Sequence, residues 1–216
     1  MSSKGRSNRS SIHDRFKRPD PSRPKRKAIL IALEDEKSAR LYFEDWKEHL
    51  KASRVVVFPR HLGPNPAEVV EAAVQRNEEQ RSDPDRDPFD EVWIVIDTEG
   101  VGDRDRLMKA RAAIERARKL QFKTAVSNPC FEYWLLLHFE DTTATFNDAA
   151  AVGARLRKHI KNYKKNQSAF RETRDLVRTA IANAEKRFAG KGGGPHPCDC
   201  HPCTQIYMLM KSLLGG

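Results

Sequence analysis

Asp97-Thr98-Glu99 places two carboxylates two positions apart, directly behind the apolar run Val92-Trp93-Ile94-Val95-Ile96 and just before Gly100. Oxygen donors at that spacing can chelate a divalent cation. A solvated turn that simply ends a strand would read the same way. Glu34 closes another apolar run, and Glu132 stands alone among apolar neighbours a few residues after Asn128. Glu132 could complement a helix dipole, or it could join the other acids. His196, Cys198, Cys200, His201 and Cys203 fall within eight residues. Thiolates and imidazoles suit a structural Zn²⁺, but the spacing is tighter than a finger built from two halves, so reduced thiols in a loop are the competing reading. Lys158, Lys161, Lys164 and Lys165 around Tyr163, with Lys123 and Arg171, are the candidates for phosphate contact. A solvated helix face would also explain them.

The elements that must hold these groups follow from hydrophobic period. The run ending at Ile96 is apolar and mostly β-branched, as in a strand buried on both faces of a parallel sheet. Comparable runs at 27–33, 54–58 and 122–126 alternate with amphipathic stretches through Tyr42, Phe43, Trp46 and Leu50, through Val69, Val70, Ala73 and Val74, and from Arg104 to Lys119. Alternation of this kind predicts a three-layer α/β domain with a mainly parallel four-stranded sheet. Parallel strands put their carboxyl ends on one edge, where ligand chemistry collects. Glu34, Asp97 and Glu99 all fall there, which favours a site over three unrelated turns.

Residues 127–139 are apolar almost all round and predict a buried helix, capped by Ser127 or Asn128 with Pro129 in its first turn. His138, farther along, reads as a packing histidine. Residues 147–188 predict two helices joined around 163–168, the second turning Leu176, Val177, Ala180, Ile181 and Ala184 inward. A glycine-rich hinge at 190–194 precedes the Cys/His segment and a short last helix with Ile206, Leu209, Met210 and Leu213. The chain thus divides into a basic arm at 1–26, too poor in apolar residues to order itself, an α/β domain at 27–140, and a helical extension at 141–216 packed on the same domain.

The net charge of +10 is unevenly placed: +8 in residues 1–27, −7 in 28–154, +8 in 155–187 and +1 in 188–216. An acidic centre suits a metal cation, and basic flanks suit a polyanion. No apolar run reaches the length of a membrane span and the N-terminus lacks the apolar core of a secretory signal, so the cytoplasm is expected.

Several stretches together resemble the RloB-like proteins, associated with phage abortive infection and restriction loci. Glu34-Asp35-Glu36-Lys37-Ser38-Ala39 with Tyr42-Phe43 corresponds to that family's E-G-E-x-T-E followed by Y-F, and Asp97-Thr98-Glu99 to its D-x-D. Residues 127–139 follow S-N-P-C-F-E-x-W-L-L-x-H-F almost letter for letter. His201-Pro202-Cys203-Thr204-Gln205-Ile206 approximates N-P-S-T-x-V. The family in turn resembles the Toprim domain, whose Glu after the first strand and D-x-D after the third bind Mg²⁺ for phosphoryl transfer.

The resemblance implies a Mg²⁺- or Mn²⁺-dependent nuclease of antiviral defence acting on RNA or DNA. Glu34, Asp97 and Glu99 would be its metal ligands, with Glu34 as an alternative general base and Asn128 and Glu132 in support. An ATPase encoded nearby and a second copy of the chain are the partners it admits, with no membrane. Asp35 replaces the family's Gly, Ser38-Ala39 its Thr-Glu, and Glu99 is one methylene longer than Asp. The competing reading is a non-catalytic nucleic-acid-binding or sensor subunit. A phosphoacceptor receiver domain also places acids after its first and third strands, but it has no counterpart of residues 127–139.

Overall fold

Strands β1 (Ile29–Leu33), β2 (Val55–Pro59), β3 (Glu91–Asp97) and β4 (Lys123–Asn128) pair in parallel in the order β2-β1-β3-β4. They are seen in a computed structural model that describes residues 27–35, 37–59, 65–100, 102–142, 144–190 and 196–215. The expected disordered arm at 1–26 and most of the glycine hinge lie outside these residues. The expected sheet had four strands. A fifth, β5 (Cys203–Thr204), adds antiparallel to β4 through Ser127↔Thr204 and Asn128↔Cys203.

Alternating strand residues serve two cores, because successive side chains point to opposite faces. Leu30, Ala32, Val92, Ile94, Ile96 and Val126 pack under α2 (Pro66–Ser82) and α3 (Arg104–Lys119). Ile29, Ile31, Leu33, Trp93, Val95 and Ala125 pack under α1 (Ser38–His49), α4 (Phe131–Leu136) and the C-terminal helices. The sheet is therefore the middle layer of three, as the β-α alternation predicts.

Helix starts are written locally. Asn65 accepts the N–H of Ala67 ahead of Pro66, and Asp103 accepts that of Arg106. Both satisfy orphan first-turn donors. The expected cap by Ser127 or Asn128 is not formed. β4 runs on through Asn128 because β5 pairs there, the Asn128–Pro129 bond is cis, and α4 starts only at Phe131. Ser127 Oγ instead meets Thr204 Oγ1 at 2.9 Å.

The C-terminal region forms α5 (Ala149–Leu156), α6 (Phe170–Thr173), a 3₁₀ turn at Arg174–Leu176, α7 (Val177–Gly190) and α8 (Ile206–Leu214). The helix expected around 170–188 is thus broken near its start, and Leu176, expected inward, is turned out by the 3₁₀ turn and exposed. Val177, Ala180 and Ala184 are buried as predicted. His138 is buried, with Nδ1 3.0 Å from the Trp134 carbonyl oxygen and Nε2 3.3 Å from the Tyr42 hydroxyl. No helix among the described residues is long and apolar enough to cross a membrane.

Candidate active site

In this strand order α1 carries the chain from β1 outward to β2, and α2 carries it back past β1 to β3, so the sheet grows in opposite directions from there. The carboxyl ends of β1 and β3 therefore flank the switch point where α/β sheets open a crevice. Glu34 follows β1 and Asp97 ends β3, one on each side of it. A cavity of about 150 Å³ there is lined by Glu34, Asp35, Ala39, Val95, Asp97, Glu99 and Lys165. Glu132 reaches the same place from the first turn of α4, and Arg106 from the first turn of α3.

Each acid is held differently. Glu34 is ion-paired with the Arg106 guanidinium. Arg106 also donates from Nε and Nη2 to the Asp97 carbonyl oxygen, at 3.2 and 2.7 Å. Asp35 accepts the N–H groups of Lys37 and Ala39 at 2.8 and 2.9 Å, capping α1. Asp97 Oδ2 accepts the Phe131 N–H at 3.0 Å, so it does for α4 what Cys130 at the cap position does not. Buried Glu132 accepts from Ser38 Oγ and the Tyr163 hydroxyl, both at 2.9 Å, and lies 3.6 Å from Lys165 Nζ.

Glu99 sits in the left-handed region at φ 61°, followed by Gly100 at φ 105°. Its N–H is anchored to the Pro129 carbonyl at 2.8 Å. A Cβ on Gly100 would lie 2.7 Å from the Asn147 carbonyl oxygen, so glycine is required both by φ and by space.

Crowded carboxylates perturb one another. Burial, then the charge of Glu132 and more weakly Glu99 and Asp35, pushes the Asp97 carboxyl well above its ordinary range. Burial raises Glu99 as well, against the pull of Lys165 and Arg106. Burial works against charge on Lys165, but Glu132, with Asp97 and Glu99 behind it, outweighs that and holds its ammonium charged. The pocket thus has more negative charge than its own cations balance.

Glu34, Asp97, Glu99, Glu132 and Lys165 come together. Asn128 does not join them: its Nδ2 donates to the Cys198 carbonyl at 3.3 Å and its Oδ1 lies 2.7 Å from His201 Nδ1. Lys123 opens β4 at the opposite end of the sheet, 3.0 Å from Glu91 Oε1 and over the Trp93 ring, where it lines a separate cavity of about 820 Å³. A residue at a strand's start cannot share the edge at its end, so Lys123 is removed from the carboxylates. Lys158, Lys161, Lys164 and Arg171 are exposed outside the pocket.

Cys198, Cys200 and Cys203 are buried thiols, with Cys203 Sγ 2.9 Å from the Cys200 carbonyl oxygen. His196 Nδ1 accepts the Cys198 N–H at 3.3 Å. Among the described residues no three His, Cys, Asp or Glu side chains are gathered so as to enclose a metal ion.

Arg106, Ser38 and Tyr163 escape a reading of the sequence alone. Arg106 had one usable signal: the first turn after β3 must lie at the same edge as Asp97. Ser38 and Tyr163 meet Glu132 across 94 and 31 positions, and nothing local announces that.

The fold and pocket define an α/β protein with a carboxylate-rich crevice at the switch point of a mostly parallel sheet. A family model described as RloB-like protein matches residues 29–213, and the chain belongs to the RloB-like family. No curated protein and no solved structure gives a match.

Proposed function

We propose that this chain is a metal-dependent nuclease of a bacterial antiphage, abortive-infection defence system. In this reading the α/β domain is Toprim-like and hydrolyses phosphodiester bonds in RNA or DNA. The observation that carries it is the convergence of Glu34, Asp35, Asp97, Glu99 and Glu132 on one crevice with Arg106 and Lys165 as counter-charges.

The donor set fits a hard divalent cation such as Mg²⁺ or Mn²⁺: it is all carboxylate oxygen, and Asp97 and Glu99, raised chiefly by burial, would be favoured in their ionised form by a bound cation. Too few donors converge to enclose an ion, which suits Mg²⁺, because it keeps several waters and takes substrate phosphate as a further ligand. Asp97 and Glu99 would hold the ion. Once bound, it would supply Lewis-acid stabilisation of the phosphate and an acidified water. Lys165, half exposed at the pocket, faces an incoming phosphate. The exposed Lys158, Lys161 and Lys164 on the same segment would draw in the polyanion.

The test is cleavage of plasmid, single-stranded DNA and total tRNA with Mg²⁺ or Mn²⁺ by wild type and Asp97→Ala, with folding of both checked by circular dichroism. Metal-dependent cutting by wild type alone supports the nuclease.

A second reading, a nucleic-acid-binding or sensor subunit without catalysis, is favoured by how fully Glu34 and Glu132 are engaged by protein donors. It predicts equal, salt-sensitive binding by both proteins and no cutting.

A further inference from the structure

Five carboxylates at the crevice suggest room for two metal ions, but their hydrogen bonds say otherwise. Asp35 has each oxygen engaged by a backbone N–H at the start of α1, those of Lys37 and Ala39. Glu132 is taken by Ser38, Tyr163 and Lys165. Glu34 spends one oxygen, Oε2, on the Arg106 guanidinium and is ion-paired by it. Asp97 gives one oxygen to Phe131 and keeps the other, and the Glu99 carboxylate accepts no hydrogen bond among the described residues, its backbone N–H alone being engaged. Among the described residues, the acids that combine an uncommitted oxygen with no ion pair are therefore Asp97 and Glu99, which sit on the same turn.

Resting on the metal-dependent reading above, we infer that the site takes one divalent cation, and that the Arg106 guanidinium stands where a second would be. Two-metal phosphoryl-transfer sites place their ions roughly 3.5–4 Å apart, shared by carboxylates that touch both. Here the acid after β1, which would hold the second ion, meets a cation already built into the chain.

Arg106 is fixed there. Its side chain is 9% exposed, it bridges Glu34 on one side of the switch point to the Asp97 carbonyl on the other, and its own N–H is held by Asp103. A guanidinium stays charged at any working pH, and its planar fork suits a carboxylate better than a lysine would. An ion on Glu34 would have to displace this group or sit against it. Arg106 is thus a positioning residue: it neutralises Glu34 permanently and ties the ends of β1 and β3 together.

Mn²⁺ binding, followed by electron paramagnetic resonance of the free ion without any substrate, tests this on the full chain. Wild type should bind one Mn²⁺ per chain. Glu34→Gln should still bind one with little change in affinity, and Asp97→Asn should weaken binding by about tenfold or more. Arg106→Gln, shown folded by circular dichroism, should free Glu34 and bind a second ion, which loss of a merely structural contact would not produce. Two ions on wild type, or loss of binding in Glu34→Gln equal to that in Asp97→Asn, would overturn the inference while leaving the nuclease reading standing. No Mn²⁺ on wild type would overturn both. If Arg106→Gln does not fold, the Glu34→Gln and Asp97→Asn titrations still decide.

Discussion

The histidine of the Phe131-to-Phe139 stretch offers a sharp test of whether that stretch is catalytic or structural. His138 is buried between Tyr42 and Trp134, and burial lowers its pKa from 6.5 to about 4, although the Trp134 and Leu135 carbonyls pull the other way. Between those two values the unfolded chain binds a proton that the folded chain refuses. Stability is therefore complete above pH 6.5 and drains away as pH falls towards 4. At about 1.4 kcal/mol per pKa unit, the whole window is worth about 3 kcal/mol, of which about 2 kcal/mol is already lost at pH 5. Against a typical total of about 5–15 kcal/mol this is large. Urea unfolding of wild type and His138→Gln at pH 7.5 and 5 isolates it, because other titrating groups contribute equally to both proteins. The variant should be less stable at pH 7.5 but should lack about 2 kcal/mol of the acid loss. Equal losses in the two proteins would show that His138 is protonated in the fold, and the structural assignment would be wrong.

Two further outcomes follow from the turn behind β3. Asp97 and Glu99 are raised mainly by burial, so the folded state holds their protons longer than the unfolded state and stability falls as pH rises above the ordinary carboxylate range. Asp97→Asn, which can still accept the Phe131 N–H, should gain about 0.5–2 kcal/mol over wild type at pH 8 and little at pH 4; a difference independent of pH in urea melts would mean that burial does not raise the Asp97 carboxyl. Gly100→Ala must put a Cβ 2.7 Å from the Asn147 carbonyl at positive φ, so thermal melts should show a loss of about 1–3 kcal/mol or more, and an unchanged midpoint would mean that the turn is not built as described.

The parallel sheet and its acidic edge were legible because their signals are local. β3 and α3 begin and end in the sequence where period and capping say they should, and any acid just after a parallel strand must share one edge. The hand-over from β4 to α4 was not legible: an apolar run looks alike in strand and helix, and the pairing that keeps Ser127 and Asn128 extended comes from a two-residue strand some 75 positions away. Charge was legible as composition but not as placement. Lys165 and Lys123 read alike as basic residues, yet the chain path carries one into the pocket and the other to the far end of the sheet.

Pocket and C-terminal region are one structure. Trp134, Leu135, Leu136 and Leu137 are at most 1% exposed, and the core around them is completed by Leu156, Phe170, Ala180, Ala184, Ile206, Leu209 and Met210. Asn183 Nδ2 donates to the Leu137 carbonyl at 2.9 Å, and Ser212 Oγ to Glu91 at 2.6 Å, so polar bonds stitch the same face. Cutting the chain at residue 140 would uncover those side chains at about 1.5–3 kcal/mol each. Four to six of them would consume the whole stability expected of a domain this size. It would also remove Tyr163 and Lys165, two of the partners of Glu132. A fragment of residues 27–140 should therefore show no cooperative urea transition and no dispersed amide spectrum. A folded fragment with a sharp transition would mean that the α/β layer closes its core alone, and that the C-terminal helices are an addition to the pocket instead of one of its walls.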